Sequence, residues 1–342
     1  MQIVTGVILA IHYVPTAELA FDSVSHIIRD VSNGWLLRYA HSNGASFIFI
    51  IIYCHITRGL YHQSFHNREG VWSSGVTIFI AISAAAFIGY VLPWGQISYW
   101  AAVVITNILG ILPTAGIYIV SWIWGGFSVS SATLTRFYIL HIVLPFVVAA
   151  LAILHLWFLH TTGSKVPSKE NGSIIENIRF NPYYTIKDAF IFIIFFTLYF
   201  CIISWYPNAI SHPDNYVRAN PLVTPEHIVP EWYFLPFYAI LKCIPNKIFG
   251  AIIMAASIVI LYTLPFISFS KLTLGGHKLI YIFAVYSFIW NILILGWVGS
   301  KSASTVFVAY SQDVFTPLYF IFFFVLAVVS YINIEKLGRD FN

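Results

Sequence analysis

Four histidines recur at one spacing inside two long apolar stretches of the sequence. His41 and His55 are 14 residues apart, and so are His141 and His155. On a helix turning ~100° per residue, the two rings of each stretch share a face and lie ~21 Å apart along the axis. A b-type haem takes one axial imidazole from each side of its plane. The pattern therefore predicts two stacked bis-histidine haem sites. The alternative is four buried histidines that only make hydrogen bonds.

Glycines support the haem interpretation by repeating the same interval. Gly75 and Gly89 are also 14 residues apart, and Gly6 falls in an earlier apolar run. A glycine lets a flat ring lie close to a helix backbone. Alone, such glycines would instead indicate tight packing between membrane helices.

The elements that position these residues must be membrane helices. The chain has 342 residues, of which 59% are hydrophobic and 9% charged, with a mean hydropathy of +0.82. A spanning helix needs about 20 mostly apolar residues. The net charge of +4, without a basic stripe, gives no case for nucleic-acid binding. We predict an all-α transmembrane bundle with seven full spans at 39–61, 75–94, 137–160, 188–206, 248–268, 279–298 and 316–333.

Span direction decides which histidines face each other. Residues 1–14 are too short to span and are interpreted as the second half of a first helix. The spans at 39–61 and 137–160 are separated by one crossing and therefore run in the same direction. His41 can then lie level with His141, and His55 with His155. The bias of Lys and Arg assigns the first level to the outer side of the membrane. Residues 95–136 are expected to form short interfacial helices.

The three cysteines, Cys54, Cys201 and Cys243, contain no C-x-x-C pair. This excludes a cysteine-ligated iron–sulfur cluster and a C-x-x-C-H haem attachment within the chain. Each is interpreted as a small core residue.

Arginines flank the first histidine helix. Arg38 and Arg58 are predicted to pair with haem propionates, because arginine binds carboxylates well. The alternative is that both side chains reach to the membrane surface as solvated charges.

Longer motifs extend the argument over nearly the whole chain. They are ITRGLYH, GYVLPWGQISYWAA at 89–102, WIWGGFSVSSATLTRF at 122–137, FLHTTGS, NPYYTIKDA and PEWYFLPFYAILKCIPNK at 230–247. These motifs resemble the cytochrome b family, the central subunit of the bc1 complex (respiratory complex III). The resemblance implies a haem-binding bundle at 1–162 within a four-helix arrangement, and a second part at 163–342 that carries the remaining helices.

The resemblance also implies roles at matching positions. His41 with His141 would hold the low-potential haem, and His55 with His155 the high-potential haem. The quinol-oxidation pocket would be lined by Pro230, Glu231, Trp232, Tyr233, Tyr238 and the segment around Gly126. The quinone-reduction pocket would be formed by His160, Ser164, Lys187 and Asp188.

The implied activity is that of a quinol–cytochrome c reductase. Quinol (ubiquinol) would be oxidised at the outer site. One electron would go to the Rieske iron–sulfur protein and cytochrome c1. The other would cross the membrane through the haems to quinone at the inner site, coupled to proton translocation. The family implies other complex III subunits, membrane lipid, a homodimer and the mitochondrial inner membrane, with a bacterial plasma membrane as the less favoured alternative.

Two sites invite specific chemistry. A carboxylate in an apolar pocket has a raised pKa and can accept a proton, which is the role predicted for Glu231. A structural carboxylate is the alternative. His160 and Asp188 could protonate reduced quinone, with mere interfacial polarity as the alternative.

Three rival functions remain to be weighed against this one. A haem–copper oxidase would need adjacent histidines, and none of the 12 histidines are adjacent. A di-haem membrane anchor would lack P-E-W-Y. A transporter would use intramembrane charge rather than paired histidines.

Overall fold

The computed structural model describes residues 1–163, 178–269, 276–302 and 305–339, and these are helical apart from loops and one isolated bridge, Gly95 to Arg218. In chain order the α-helices are α1 (Gln2–His12), α2 (Ala20–Arg29), α3 (Gly34–Tyr61), α4 (Glu69–Val91), α5 (Gln96–Ile108), α6 (Gly116–Trp124), α7 (Ser131–Thr162), α8 (Thr185–Trp205), α9 (Leu235–Lys242), α10 (Lys247–Val259), α11 (Leu264–Ile267), α12 (Gly276–Gly299), α13 (Thr305–Tyr310) and α14 (Thr316–Arg339).

Seven helical segments in the described ranges are long and apolar enough to cross a membrane, which confirms the predicted multi-pass, all-α architecture. They are Gly34–Tyr61, Glu69–Val91, Ser131–Thr162, Phe180–Trp205, Lys247–Ile267, Lys278–Gly299 and Val306–Ile332. The run at the start of the chain forms α1, and the predicted short helices at 95–136 are α5 and α6.

Several helices begin earlier than hydropathy predicts. α7 begins at Ser131 instead of residue 137, and α4 at Glu69 instead of residue 75. At α7, the Ser130 backbone N–H donates to Thr133 Oγ1 at 3.1 Å, which satisfies a free donor at the helix start. Polar residues thus extend the helix beyond the apolar window, because backbone hydrogen bonding does not depend on hydropathy.

Helix packing keeps α3, which carries His41 and His55, apart from α7, which carries His141 and His155. α1 lies along α3, and α4 lies along α7, whereas α3 and α7 share no extended backbone contact. The C-terminal half has its own apolar core, in which α9, α12 and α14 bury Ala239, Leu295 and Phe322. The space between α3 and α7 is where the four histidines project.

The loop after α8 is held against the start of α5. Gln96 donates from Nε2 to the Val223 carbonyl at 2.5 Å and accepts from the Asn220 N–H at 2.7 Å. Ser98 donates from its backbone N–H and from its hydroxyl to Asn215 Oδ1, at 3.0 and 2.6 Å. These bonds fix the loop that leads into the P-E-W-Y motif.

The cysteine prediction was wrong at one position. Cys243 is buried and Cys201 is half-buried, but Cys54 is exposed. Cys54 belongs to α3, whose side chains Phe47 and Phe49 are buried, but no neighbouring helix covers Cys54 itself in the described part of the chain. An apolar helix in a membrane protein also has an apolar outer face, so hydropathy does not separate core from lipid-facing positions.

Candidate redox sites

The outer histidine pair brings α3 and α7 together at one level. The rings of His41 and His141 have centroids 6.0 Å apart and planes at 85°. His41 Nδ1 lies 3.0 Å from Thr5 Oγ1, and His141 Nδ1 lies 2.9 Å from the Ala85 carbonyl oxygen. Since a carbonyl can only accept, His141 donates from Nδ1 and keeps Nε2 unprotonated. That is the tautomer a metal-ligating histidine adopts, with its second nitrogen held by a neighbour.

The inner pair repeats the arrangement. His55 and His155 have centroids 6.3 Å apart and planes at 69°. His155 Nδ1 lies 2.9 Å from Ser74 Oγ, on the helix that packs along α7. A cavity of about 340 Å³ adjoins this pair and is lined by both histidines, Gly75 and the polar segment that joins α3 to α4.

Both pairs fit a shared metal ion. Two imidazoles that each place a nitrogen about 2 Å from one ion, on opposite sides, have centroids about 6 Å apart. The observed separations of 6.0 and 6.3 Å meet this requirement. No cluster of three or more metal-binding side chains occurs in the described ranges, so each site offers the ion two protein ligands. A two-ligand site suits an ion whose remaining ligands come from a macrocycle.

The three predicted glycines do lie at these sites, each against a ligand ring. A Cβ added at Gly6 would approach His41 Cε1 to 2.9 Å, and one at Gly75 would approach His155 Cε1 to 3.2 Å. A Cβ at Gly89 would overlap the ring of His141. The structure thus shows glycine making room for the imidazole. The predicted contact with a porphyrin stays a prediction.

Sequence reasoning missed the hydroxyl that precedes two of these glycines. Thr5 stands before Gly6 and contacts His41, while Ser74 stands before Gly75 and contacts His155. The sequence signal that could have found them is a hydroxyl residue directly before a predicted glycine. In both cases one turn of helix leaves room for an imidazole ring and places a hydroxyl within hydrogen-bond distance of its Nδ1 atom.

The two predicted arginines differ in their surroundings. Arg38 is half-buried, within electrostatic reach of Tyr13 and Tyr216, whereas Arg58 is exposed and lines the inner cavity. Neither forms an ion pair with a carboxylate in the described part of the chain. Their pairing with haem propionates stays a prediction.

The P-E-W-Y motif packs onto α3. Tyr233 is buried and stacks on Phe49, with centroids 3.9 Å apart and planes at 5°. Tyr53 donates to the Tyr233 carbonyl oxygen at 2.5 Å, and Trp232 Nε1 donates to Ser46 Oγ at 3.0 Å. These contacts fix the two residues that directly follow the motif's carboxylate.

Glu231 itself lies among apolar and phenolic groups. Burial raises the pKa of Glu231 to about 7, although the nearby Tyr90 hydroxyl opposes that rise. A pKa near neutrality suits a group that accepts and releases a proton. Tyr90, which sequence reasoning missed, directly follows Gly89 in the last turn of α4. One turn of helix therefore lies against His141 and places a hydroxyl within electrostatic reach of Glu231.

Other predicted members of the outer pocket have different environments. Tyr238 donates to the Ile228 carbonyl oxygen at 3.2 Å, and Pro230 is half-buried. Gly126 faces open space, beside the fully exposed Phe127.

The residues predicted for the inner quinone site are not joined in this structure. His160, Lys187 and Asp188 are exposed, and no hydrogen bond or ion pair among the described residues connects them. Ser164 lies outside the described residues.

Comparisons with known proteins agree with the site geometry. Residues 1–163 match the family model for cytochrome b/b6/petB, and residues 218–336 match that for cytochrome b(C-terminal)/b6/petD. Cytochrome b of Phytophthora megasperma is 52% identical over 300 residues, covering 87% of this chain and 78% of the relative. Cytochrome b of Rickettsia prowazekii is 49% identical over 338 residues, covering 98% and 84%.

A solved structure, a hyperthermophilic respiratory complex III, superposes with a TM-score of 0.90 at 32% identity, covering 97% of this chain and 88% of the matched chain. The paired histidines, the glycines that seat them and the near-complete coverage by these relatives agree: the chain belongs to the cytochrome b family.

Proposed function

We propose that this chain is the di-haem subunit of a quinol–cytochrome c reductase, working with the other subunits of a complex III. The observation that carries the proposal is the repeated pair of facing imidazoles, at 6.0 and 6.3 Å between centroids, on two helices with no extended contact. His41 and His141 would hold the outer haem, and His55 and His155 the inner one. When bound, the haems supply one-electron carriers at two depths of the membrane.

The chain's own residues bind, orient and move protons. Thr5, Ser74 and the Ala85 carbonyl hold the ligand rings through Nδ1, which keeps Nε2 directed to the iron site. Arg38 and Arg58 offer cations to the carboxylates of the macrocycles.

At the outer end, Glu231 would accept a proton as quinol is oxidised. Its pKa of about 7 leaves a large ionised fraction at neutral pH, with the Tyr90 hydroxyl within electrostatic reach. The stacked Tyr233 and Phe49 close the apolar wall beside it. At the inner end, His160 and Asp188 would donate protons to reduced quinone, with Lys187 and Ser164 lining the pocket.

Selective loss of one haem tests the proposal. In the assembled complex, His55→Leu should remove the inner haem and leave the outer haem at least partly assembled, because the two pairs share no residue. His41→Leu should do the reverse. Reduced-minus-oxidised visible spectra with a redox titration measure both. Loss of the same haem from both variants, in complexes that still assemble, would contradict the proposed pairing of the four histidines.

Membership of a complex III, with the Rieske protein and cytochrome c1 as partners, rests on the family. Quinol-dependent reduction of cytochrome c by the purified assembly is the direct measurement. Haem spectra without such activity would instead favour a di-haem membrane anchor.

A further inference from the structure

A buried arginine, two of whose nitrogen atoms have no partner among the described residues, lies at the rim of the inner cavity. Arg68 is only 7% exposed, and its Nε and Nη2 atoms are buried with no hydrogen-bond partner in the described part of the chain. The neighbouring carboxylate, Glu69, is exposed and forms no ion pair there. An unpaired buried guanidinium is strongly unfavourable, so this environment requires an anion.

The local backbone makes that requirement stronger. Arg68 directly precedes α4 as its N-cap residue, and its side chain does not cap the helix. The helix dipole places partial positive charge at that end, where a cation is disfavoured and an anion is favoured. Arg68 and the first N–H groups of α4 therefore add to the same positive potential.

The cavity identifies what kind of anion fits. Arg68 lines the space of about 340 Å³ that is also lined by Arg58, His55 and His155. The polar end of this cavity further includes His62 and Ser64, while Ile52, Val76 and Phe79 lie among its apolar walls. A ligand with an apolar body and a carboxylate end matches this division.

We propose that Arg68 binds a propionate carboxylate of the haem held between His55 and His155, as a second cation beside Arg58. The inference rests on the proposed function, since it presupposes a haem at that pair. Arginine suits the role because its planar fork binds a carboxylate with two parallel hydrogen bonds.

The test measures the redox equilibrium of each haem in the purified complex. Arg68→Gln removes a cation near the inner haem, so it should favour the oxidised form there by about tenfold, which corresponds to a fall of ~59 mV in midpoint potential. The outer haem should keep its potential. Arg179→Gln is the matched control, because Arg179 is an exposed arginine assigned to the same side of the membrane.

A second variant covers the case in which Arg68→Gln fails to assemble. Arg68→Lys keeps the charge but loses the fork. Redox-difference infrared spectra with haem labelled at the propionate carboxyl carbons should therefore show a shifted carboxylate band. An unchanged band in Arg68→Lys, or equal potentials in Arg68→Gln and Arg179→Gln, would overturn the proposal.

The same preparations separate the other outcomes. Loss of tightly bound phospholipid from Arg68→Gln, with the inner potential unchanged, would assign the arginine to a lipid phosphate instead. If His55→Leu keeps both haem signals, the proposed function itself is wrong. If His55→Leu loses the inner haem signal but Arg68→Gln leaves the midpoint potential of that haem unchanged, only the proposed role of Arg68 is wrong.

Discussion

At the scale of single residues, the outer site depends on how one carboxylate is held. Glu231 lies between α3, which binds its neighbours Trp232 and Tyr233, and the last turn of α4, which supplies the Tyr90 hydroxyl. These contacts hold the carboxylate in a partly buried position. Its ionisation is thereby moved into the range where proton transfer is efficient at neutral pH.

Glu231→Gln should lower quinol oxidation by at least about tenfold while haem content stays unchanged. Only the ionised carboxylate can accept a proton, and burial raises the pKa of Glu231 to about 7. The rate of the unmodified protein should therefore rise as pH increases through about 7, and the variant should lose that dependence. Steady-state quinol oxidation across this pH window is the measurement.

Glu226→Gln is the matched control, because Glu226 is an exposed carboxylate in the same loop. It should leave both the rate and its pH dependence unchanged. Full turnover and an unchanged pH profile in Glu231→Gln would show that this carboxylate is structural and that the proton leaves by another route.

At the scale of helices, α4 leaves room for both histidines that α7 carries. Gly75 and Gly89 leave room for the rings of His155 and His141, which lie along the face where α4 packs on α7. The 14-residue interval on α4 matches that on α7, and the two helices run antiparallel, so a glycine faces a histidine ring at both levels.

Substituting the two glycines should therefore affect the haems separately. Gly75→Val should displace His155 and weaken inner haem binding, and Gly89→Val should displace His141 and weaken the outer one. Overpacking of this kind costs about 1–3 kcal/mol. Haem content and the two midpoint potentials measure the effect. Gly126→Val is the control, since its Cβ would meet open space. Equal loss of both haems from either α4 variant would contradict this assignment.

The sequence predicts those features that depend on residues close together in the chain, and it misses those that depend on tertiary packing. Hydropathy predicted all seven spans, and helix direction predicted which histidines pair. Arg68 was missed because the stretch "HNREG" has the composition of a solvated turn, and its burial arises only from the packing around it. Tyr90 was missed because its partner Glu231 is far away in the sequence.

At the scale of the whole molecule, the two ends of the bundle are proposed to perform opposite reactions. The outer end is closed by a loop fastened to α5 through Gln96 and Ser98. The inner end has exposed candidates on α7 and α8 with no bond between them in the described ranges. The inner pocket therefore could be predicted only from the family motif, not from a local pattern.

Asp188→Asn and His160→Leu should each slow reoxidation of the inner haem by quinone by at least about tenfold, while its reduction from the outer site stays intact. Both residues lie at the membrane face opposite Glu231 in the predicted topology. Stopped-flow spectra with each site inhibited in turn measure the two steps. Asp214→Asn, in the outer loop, is the control. Unimpaired reoxidation in both variants would remove these residues from the inner site.

The last turn of α4 gives the outer haem site a use as an optical reporter. Tyr90 lies within electrostatic reach of Glu231, and the adjacent Gly89 contacts the ring of His141. A charge that appears on Glu231 therefore changes the electric field close to His141, the proposed haem ligand. The absorption band of a haem bound there should shift slightly as Glu231 ionises, so that the protonation of the proposed acceptor can be followed without measuring turnover.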